Sequence, residues 1–260
     1  MQIFSKKNIS NYSKTLLSIL VIIVIWSGIG YFKIVNALFI PKIDDTFISA
    51  KHLLYDKTTY ISLGFTVYRA IAGLLIAIAF GVPAGLIFGR INWIYKYFEL
   101  PIEFFRAIPS SALFPLFILF FGIGNASKIG VVFYACSLIM LVNSYYGALP
   151  NQEKLDRINM LRSFGASNLQ IFTFAICRDA LPGISAGIRV CLSLSFVLVV
   201  VTEMFLSANE GIGKMIYDYY LQYRIPEMYA TIIILGITGF VTNRIYILLE
   251  KKFLPWSKNV

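Results

Sequence analysis

Long apolar segments separated by short polar connections extend over the whole sequence. A helix of about 20 apolar residues crosses the roughly 30 Å hydrocarbon core of a bilayer. Six segments reach or approach that length, at residues 15–32, 63–89, 104–121, 128–147, 184–206 and 229–249. The pattern therefore predicts an all-α integral membrane protein with six transmembrane helices.

The third segment differs from the others because prolines interrupt it. Pro101, Pro109 and Pro115 lie inside it or just before it. A proline within a helix removes one backbone hydrogen bond and clashes with the preceding turn, so we expect a break or a kink. In a membrane such a break survives only where protein or a cavity satisfies the freed backbone groups.

The stretch between the fourth and fifth segments is mostly polar. Ile158, Leu161 and Phe164 recur at three-residue spacing, which places one apolar stripe on a helix. We expect Pro150 to open this helix, because proline suits the first helical turn. Gly165 follows the last apolar residue directly, and a glycine there is typical of a left-handed helix cap.

A second helix is expected directly after this glycine. Ser167-Asn168-Leu169-Gln170 has the Ser-x-x-Gln form of a capping box, which marks a helix start. We expect Pro182-Gly183 to break that helix ahead of the fifth apolar segment. The polar stretch is therefore interpreted as a helix–glycine–helix element between the fourth and fifth transmembrane helices.

Composition and charge support a membrane protein and fix its expected orientation. Hydrophobic residues make up 58% of the chain, above the roughly 45–50% usual in soluble domains. The net charge of +10 is not gathered in one patch, which disfavours nucleic-acid binding. With a cytoplasmic N-terminus, fourteen Lys and Arg residues lie inside, so the positive-inside rule predicts that both termini and the helix–glycine–helix element are cytoplasmic. The seven assigned to the outside are Lys33, Lys42, Lys51, Lys57, Lys128, Lys214 and Arg224.

The second segment carries a small residue at every fourth position. In lipid, van der Waals contact holds helices together, so a face of small residues lets another helix approach closely. Such a face can also line a pore, but we expect packing here. The stripe consists of Gly73, Ala77, Gly81, Gly85 and Gly89, and the fifth segment repeats it at Gly183, Gly187, Cys191 and Ser195.

Two ionisable residues, Arg69 and Glu203, lie at membrane depth. Charged groups are costly in hydrocarbon, so such residues are candidates for a functional site. Each either contacts a substrate or marks the water interface, and the sequence leaves both interpretations open. Neutral polar residues that could line a path with them are Asn143, Ser195 and Thr202.

The sequence offers no pattern for catalysis or for a bound cofactor. Gly213-Lys214 is followed by Met215, so a phosphate-binding GxxxxGK[ST] loop is absent. His52 is the single histidine, and the three cysteines form no CxxC pair. We therefore expect no catalytic residue, no metal site and no cofactor in this chain.

Several short motifs stand in a recognisable order. The first group is Gly165-Ala166-Ser167, Gln170-x-Phe172, Leu181-Pro182-Gly183-Ile184 and Ala186-Gly187-Ile188-Arg189. The second group is Ile108-Pro109, Phe114-Pro115-Leu116, Phe121-Gly122-Ile123-Gly124, Glu203-Met204, Gly211-x-Gly213, Gly236-x-x-Gly239 and Leu254-Pro255-Trp256. In these motifs the chain resembles the permease subunits of bacterial ABC importers, in particular the nitrate, sulfonate and taurine branch.

The chain departs from this family pattern at three places. Asn159-Met160-Leu161 stands where the cytoplasmic motif has Glu-Ala-Ala, and Arg178 stands where the motif has an earlier proline. Asn243 precedes the arginine of the sixth segment, where an Asp is often found. These departures bear on the details of partner docking and leave the helix–glycine–helix shape unchanged.

The resemblance implies a multi-pass permease of the bacterial plasma (inner) membrane. The core is expected at 63–250, after an N-terminal segment with the first helix and an outer loop at 1–62 and before a cytoplasmic tail at 251–260. The implied partners are ABC ATPase subunits, a second permease subunit in a homodimer, membrane lipid and an extracytoplasmic solute-binding protein. Residues expected to couple the chain to the ATPase are Leu161, Arg162, Phe164, Gly165, Ala166, Ser167, Gln170 and Pro182.

The resemblance also implies that ATP is hydrolysed on the partner subunit, so the chain itself is not an enzyme. The implied solutes are nitrate, sulfonates, taurine or related small organic molecules. The alternative is an ATP-independent secondary transporter or channel, from which more intramembrane charge and an internal repeat would be expected. An integral membrane enzyme would need a catalytic constellation.

Overall fold

The structure is a computed structural model that describes residues 6–32, 35–36, 38–205 and 210–254. Within these ranges every regular element is a helix. Three features used in the sequence interpretation lie outside the described residues, namely Lys33, Lys258 and the Pro255-Trp256 pair.

Eleven α-helices follow one another in the described residues, with two short helical turns of other types. A 3₁₀ turn at Ser110–Leu113 precedes α5, and a π-helical turn at Phe172–Ile176 joins α8 to α9. The α-helices are α1 Lys6–Tyr31, α2 Ile43–Tyr55, α3 Lys57–Arg90, α4 Asn92–Ala107, α5 Phe114–Phe121, α6 Asn125–Ala148, α7 Gln152–Ser163, α8 Asn168–Ile171, α9 Cys177–Phe205, α10 Ile212–Leu221 and α11 Ile225–Phe253.

Four of these helical segments are long and apolar enough to cross a membrane. They are α3, α6, α11 and the continuous helix Asn168–Phe205 formed by α8, the π turn and α9. A bent helix pair raises the number to five if it is counted as one broken span. The apolar part of α1, Leu20–Tyr31, is shorter than a full span among the described residues, so the sixth transmembrane helix stays a prediction.

The third predicted span is broken, as its prolines indicated. Its two halves, Trp93–Ala107 and Ser110–Phe121, meet at an angle of 83°. Ile108 has an extended backbone with φ −76° and ψ 120°, because the ring of Pro109 excludes the helical conformation for the residue before it. Pro101 and Pro115 cause no break, since Pro101 lies inside α4 and Pro115 in the first turn of α5.

The expected break at Pro182-Gly183 is wrong. Pro182 lies inside α9, which continues to Phe205. A proline in a helix costs about 3 kcal/mol, and close packing of α9 on α6 offsets this cost. Gly183 takes part in that packing, because an added Cβ would lie 3.1 Å from the Asn143 carbonyl oxygen of α6.

The helix α6 forms the centre of the apolar core. Four glycines of α3 lie against it, and Cβ atoms added to them would come within 3.0 Å of α6 atoms. Gly187 of α9 lies close to Asn143 of α6, and Cys136 and Cys191 each place their sulfur 3.6–3.7 Å from the carbonyl oxygen of the other. The α3 glycines in this contact are Gly73, Gly81, Gly85 and Gly89, and Ala77 between them is fully buried.

The chain forms two compact units. The larger one consists of Ile61–Lys214 and Leu235–Val260 and contains the core around α6. The smaller one consists of Met1–Tyr60 and Met215–Ile234. Within the smaller unit, the Trp26 indole donates a hydrogen bond of 3.0 Å to the Pro41 carbonyl, and the Tyr229 hydroxyl donates one of 2.8 Å to the Phe39 carbonyl.

Gly85→Ala should destabilise the protein. The added Cβ would lie 2.3 Å from the Leu141 carbonyl oxygen of α6, so the two helices must move apart. Overpacking of this kind costs about 1–3 kcal/mol. The midpoint of thermal unfolding of the purified protein measures the effect. The matched control is Gly64→Ala, also in α3, where no atom lies within 4 Å. Equal midpoints for the two variants would contradict close α3–α6 contact.

Candidate functional site

The helix–glycine–helix element consists of α7, the turn at Gly165, and α8. Gly165 has φ +78°, which confirms the left-handed cap. Its N–H donates to the Arg162 carbonyl at 2.9 Å, and the Ala166 N–H donates to the Leu161 carbonyl at 3.0 Å. These two bonds are the pair that closes a Schellman motif. A residue with a side chain is disfavoured at Gly165, because left-handed backbone brings Cβ close to the carbonyl oxygen.

The start of α7 differs from the expected one. Pro150 lies outside the helix, and Asn151 is the N-cap, with a side-chain oxygen that accepts a 2.9 Å hydrogen bond from the Lys154 N–H. The Lys154 ammonium donates to two carbonyl oxygens at the C-terminus of α6, at 2.8 and 3.0 Å. Asparagine satisfies a free N–H of the first turn, which proline cannot do, and this favours Asn151 as the cap.

The capping box at the start of α8 is confirmed. The Gln170 N–H donates to the Ser167 hydroxyl at 3.3 Å, and the Ser167 N–H donates to the Gln170 side-chain oxygen at 2.8 Å. Both ends of the turn are thus closed by local hydrogen bonds. Leu161 and Ala166 of the turn also pack against the apolar core.

The apolar residues of this element do not form one buried stripe. Ile158 is buried and Leu161 is partly buried, but Phe164 is 78% exposed. Phe164 caps α7 with a backbone of φ −84° and ψ 6°, so it no longer continues the face of the helix. Leu169 and Phe174 are also largely exposed. Phe164 lies in the polar stretch between two apolar segments, and a large apolar side chain exposed there offers a contact for a partner.

The element is firmly joined to α9. Arg157 of α7 forms an ion pair with Asp179 of α9. Ile171 of α8 and Ala175 and Ile176 of the π turn are buried in the core that includes α6 and α9. An ion pair and buried side chains therefore link this element to the helix that follows.

At the other end of α9, Glu203 forms a buried ion pair with Arg69 of α3. Arg69 is 1% exposed and Glu203 0%. Arg69 Nη1 also donates to the Glu210 carbonyl at 2.6 Å, and Arg69 Nε donates to the Asn125 side-chain oxygen at 2.8 Å. The two ionisable residues that the sequence placed separately at membrane depth are therefore partners.

The Glu203 carboxylate also holds the start of α10. The Gly213 N–H donates to Glu203 Oε2 at 3.0 Å, and the Thr66 hydroxyl donates to the same oxygen at 2.8 Å. Thr66 in turn accepts a 3.0 Å hydrogen bond from the Ile212 N–H. A carboxylate at a helix N-terminus satisfies free N–H groups and interacts favourably with the helix dipole. Arg69, Thr66, Glu203 and Gly213 are called the Glu203 cluster below.

Two glycines allow this close approach. A Cβ added to Gly211 would lie 2.3 Å from the carboxylate carbon of Glu203, and one added to Gly213 would lie 2.3 Å from the Val200 carbonyl oxygen. The Gly211-x-Gly213 spacing was therefore a sequence signal for a tight contact. The partner of that contact, Glu203, lies only ten residues before Gly213, but spacing alone did not indicate that its side chain folds back onto the two glycines.

Lys128, which the sequence interpretation assigned to the outer side, lies in the first turn of α6 and is fully buried. Its side of the membrane stays a prediction. Its Nζ has no hydrogen-bond partner among the described residues. The charged groups around it are Arg69, Glu203 and Lys214.

The three neutral candidates for a solute path bond within their own helices. The Asn143 amide donates to the Ile139 carbonyl at 2.9 Å. Ser195 and Thr202 are buried, and each hydroxyl donates at 2.8 Å to the carbonyl three residues earlier. Among the described residues the structure brings none of the three into the Glu203 cluster.

A second polar contact, between α9 and α11, was missed by the sequence interpretation. Glu250 accepts a hydrogen bond of 2.5 Å from the Ser185 hydroxyl and forms an ion pair with Arg189. The Tyr246 hydroxyl lies 2.7 Å from the Ser185 hydroxyl. Two of these residues are four positions apart on α9 and the other two are four positions apart on α11, and this spacing was the available sequence signal.

No group of three or more possible metal ligands comes together in the part of the chain that the structure describes.

A groove of about 390 Å³ lies between α9 and α11. Its walls are mostly apolar, with Ser193 and Asn243 as polar residues. Gly236 and Gly239 line it and have no atom within 4 Å of an added Cβ. This face of the chain thus offers open space next to small residues.

Comparison with known proteins relates this architecture to transport. The family model described as "Binding-protein-dependent transport system inner membrane component" matches residues 77–255. The putative aliphatic sulfonates transport permease protein SsuC of Bacillus subtilis is 30% identical over 95% of this chain and 89% of its own length. The taurine transport system permease protein TauC of Escherichia coli is 26% identical over 92% of this chain and 88% of its own length.

A solved structure supports the same fold. The structure of the MetNI methionine ABC transporter in inward-facing conformations aligns with a TM-score of 0.65 at 17% identity. The alignment covers 78% of this chain and 97% of the aligned transporter chain. From the family match over residues 77–255 and this fold, the chain belongs to the family of binding-protein-dependent transport system inner membrane components.

Proposed function

We propose that this chain is the permease of an ATP-driven importer for small anionic solutes and that its helix–glycine–helix element is the docking site for an ATPase subunit. The observation that carries the proposal is the family match over residues 77–255, which includes this element. The permease core is assigned to 63–250, the N-terminal segment to 1–62 and the cytoplasmic tail to 251–260. Hydrolysis of ATP is assigned to the partner subunit.

The solute class follows from the relatives. The two relatives are named for aliphatic sulfonates and for taurine, and both kinds of molecule carry a sulfonate group. Nitrate, which the sequence resemblance also implies, is likewise an oxyanion. We therefore assign this chain to the import of a small molecule with an anionic group of this kind.

The docking role of the element is supported by its exposed apolar residues and its closed turn. Phe164 and Leu169 stand on either side of Gly165 and are 78% and 72% exposed. Burial of two such side chains in a partner groove is favourable by about 1.5–3 kcal/mol each. The surrounding contact is assigned to Leu161, Arg162, Ala166, Ser167 and Gln170, with Pro182 inside the helix that carries the motion.

The proposed coupling uses α8 and α9 as one lever. The continuous helix Asn168–Phe205 has 38 residues, which corresponds to about 57 Å at 1.5 Å per residue. Its first turn lies next to Gly165 and its last turn carries Glu203. Movement of an ATPase subunit at one end would therefore shift the Glu203 cluster at the other.

A second copy of this chain is assigned as the other half of the solute path. The support for a homodimer is the open groove with Gly236 and Gly239, since small residues allow close contact of helices in lipid. The orientation proposed has both termini and the helix–glycine–helix element in the cytoplasm. It rests on the excess of Lys and Arg on that side.

Gly165→Val is expected to abolish uptake of a sulfonate by cells and to lower the amount of ATPase subunit that co-purifies with the permease. A β-branched side chain is strongly disfavoured at φ +78°. Gly165→Asn is the matched control, because asparagine tolerates left-handed backbone, and it should retain most of the uptake. Normal uptake and normal recovery of the ATPase subunit with Gly165→Val would contradict the docking role.

Ser167→Cys should react with a membrane-impermeant maleimide only from the cytoplasmic side. Ser167 is exposed, whereas Cys136 and Cys191 are buried, so labelling in a Cys177→Ala background reports the new thiol. Asp56→Cys, at an exposed position assigned to the outside, is the control for the opposite side. Labelling of Ser167→Cys in intact cells would invert the proposed orientation.

A further inference from the structure

The Glu203 cluster and its surroundings carry more positive than negative charge. Arg69 and Lys128 contribute two cations, both with at most 1% exposure, and Glu203 contributes one carboxylate. Lys214, which lies nearby and is half-buried, adds further positive charge. Arg69 already pairs with Glu203, and the Lys128 ammonium makes no hydrogen bond to the described residues. A buried charge without a partner is costly, and the described buried groups here carry one positive charge in excess.

The groups around the Glu203 carboxylate form a receptor for an oxyanion. Its oxygens receive hydrogen bonds from the Arg69 guanidinium, the Thr66 hydroxyl and the Gly213 N–H at the start of α10. A guanidinium, a hydroxyl and a helix N-terminus together are a common donor set for phosphate and related anions. Nothing in this set is specific for a carboxylate that belongs to the protein.

A clamp with only a structural role would not account for Lys128. Arg69 and Glu203 alone would join α3, α9 and the start of α10 with balanced charge. A buried ammonium next to that pair weakens the balance, and an apolar side chain of similar length would fill the same space at lower cost. The buried Lys128 therefore indicates a second arrangement of the cluster in which it has a partner.

We propose that Arg69, Thr66 and the Gly213 N–H bind the anionic group of the transported solute, and that Glu203 occupies this receptor when the solute is absent. When the anion enters, the Glu203 carboxylate leaves the receptor and pairs with Lys128. Both cations then have one anion each, and no buried charge remains unpaired. This inference rests on the proposed function, because it requires an anionic solute.

The donors suit an exchange of this kind. Nitrate is planar like the carboxylate, and a sulfonate group presents three acceptor oxygens, so either can accept the hydrogen bonds that Glu203 accepts. The exchange also frees the start of α10 from Glu203, which lies at the end of the 38-residue helix that begins beside Gly165. Solute binding and the position of that helix are therefore coupled through one carboxylate.

The test is the thermal unfolding of the complex purified with its ATPase subunits. The unfolding midpoint is measured against increasing sodium methanesulfonate, and separately against dimethyl sulfone with sodium chloride at equal concentrations. Dimethyl sulfone has nearly the same shape but no charge. We expect the midpoint to rise with methanesulfonate and not with dimethyl sulfone, since a ligand that binds the folded state stabilises it by mass action.

Single substitutions test the roles of Lys128 and Glu203 in the exchange separately. Lys128→Met removes the cation with which Glu203 is proposed to pair. It should raise the concentration of methanesulfonate that is required to raise the unfolding midpoint by roughly tenfold or more. It should also raise the midpoint without anion, because it removes an unpaired buried charge, and so it is expected to fold. Glu203→Gln removes the competing carboxylate and should lower the required concentration by a similar factor. Lys96→Met, at an exposed position, is the control and should respond like the unchanged protein.

Two results would overturn this inference. One is an equal response to methanesulfonate and dimethyl sulfone, and the other is a Lys128→Met response equal to that of the unchanged protein. Uptake of labelled sulfonate by cells is measured in parallel. Normal uptake without any anion effect on unfolding would reject the exchange and leave the proposed function intact. Absence of uptake of sulfonates and nitrate would reject the proposed solute class.

Discussion

Close contact of α3 and α9 with the central helix α6 is the constraint on which the rest of the structure depends. In lipid the hydrophobic effect does not hold helices together, so contact has to come from van der Waals packing of small residues. Gly85 of α3 lies so close that an added Cβ would meet the α6 backbone at 2.3 Å, and Gly183 of α9 also approaches α6 closely. This packing keeps α9 continuous through Pro182 and brings α3 near enough for Arg69 to reach Glu203.

The consequence is that one helix joins two very different environments. At one end it is continuous with α8 and the Gly165 turn, whose conformation is fixed by local hydrogen bonds and whose neighbours Phe164 and Leu169 are exposed. At the other end Glu203 is buried among donors from α3 and α10. A permease that responds to ATP must transmit a change between such ends, and a continuous helix packed against α6 is suited to that task.

Local rules predicted the local features, and long-range packing determined the others. The glycine cap at Gly165 and the capping box at Ser167 were predictable, because all of the atoms involved lie within a few residues. The continuation of the helix through Pro182 was not predictable, since the free-energy penalty of one proline is small compared with the packing energy of a whole helix. The pairing of Arg69 with Glu203 joins residues 134 positions apart. Lys128 begins the fourth predicted segment, and only the fold shows that its side chain is fully buried.

We infer that the helix Asn168–Phe205 moves as one rigid body. The most direct measurement is the distance between spin labels at Leu169→Cys and Val197→Cys, two exposed positions on either side of Pro182, with and without bound ATP in the assembled transporter. At 1.5 Å per residue the two positions lie about 42 Å apart. The account predicts one narrow distance distribution that nucleotide leaves unchanged. A shift of several ångström, or a second distance on ATP binding, would show a hinge within the helix and contradict it.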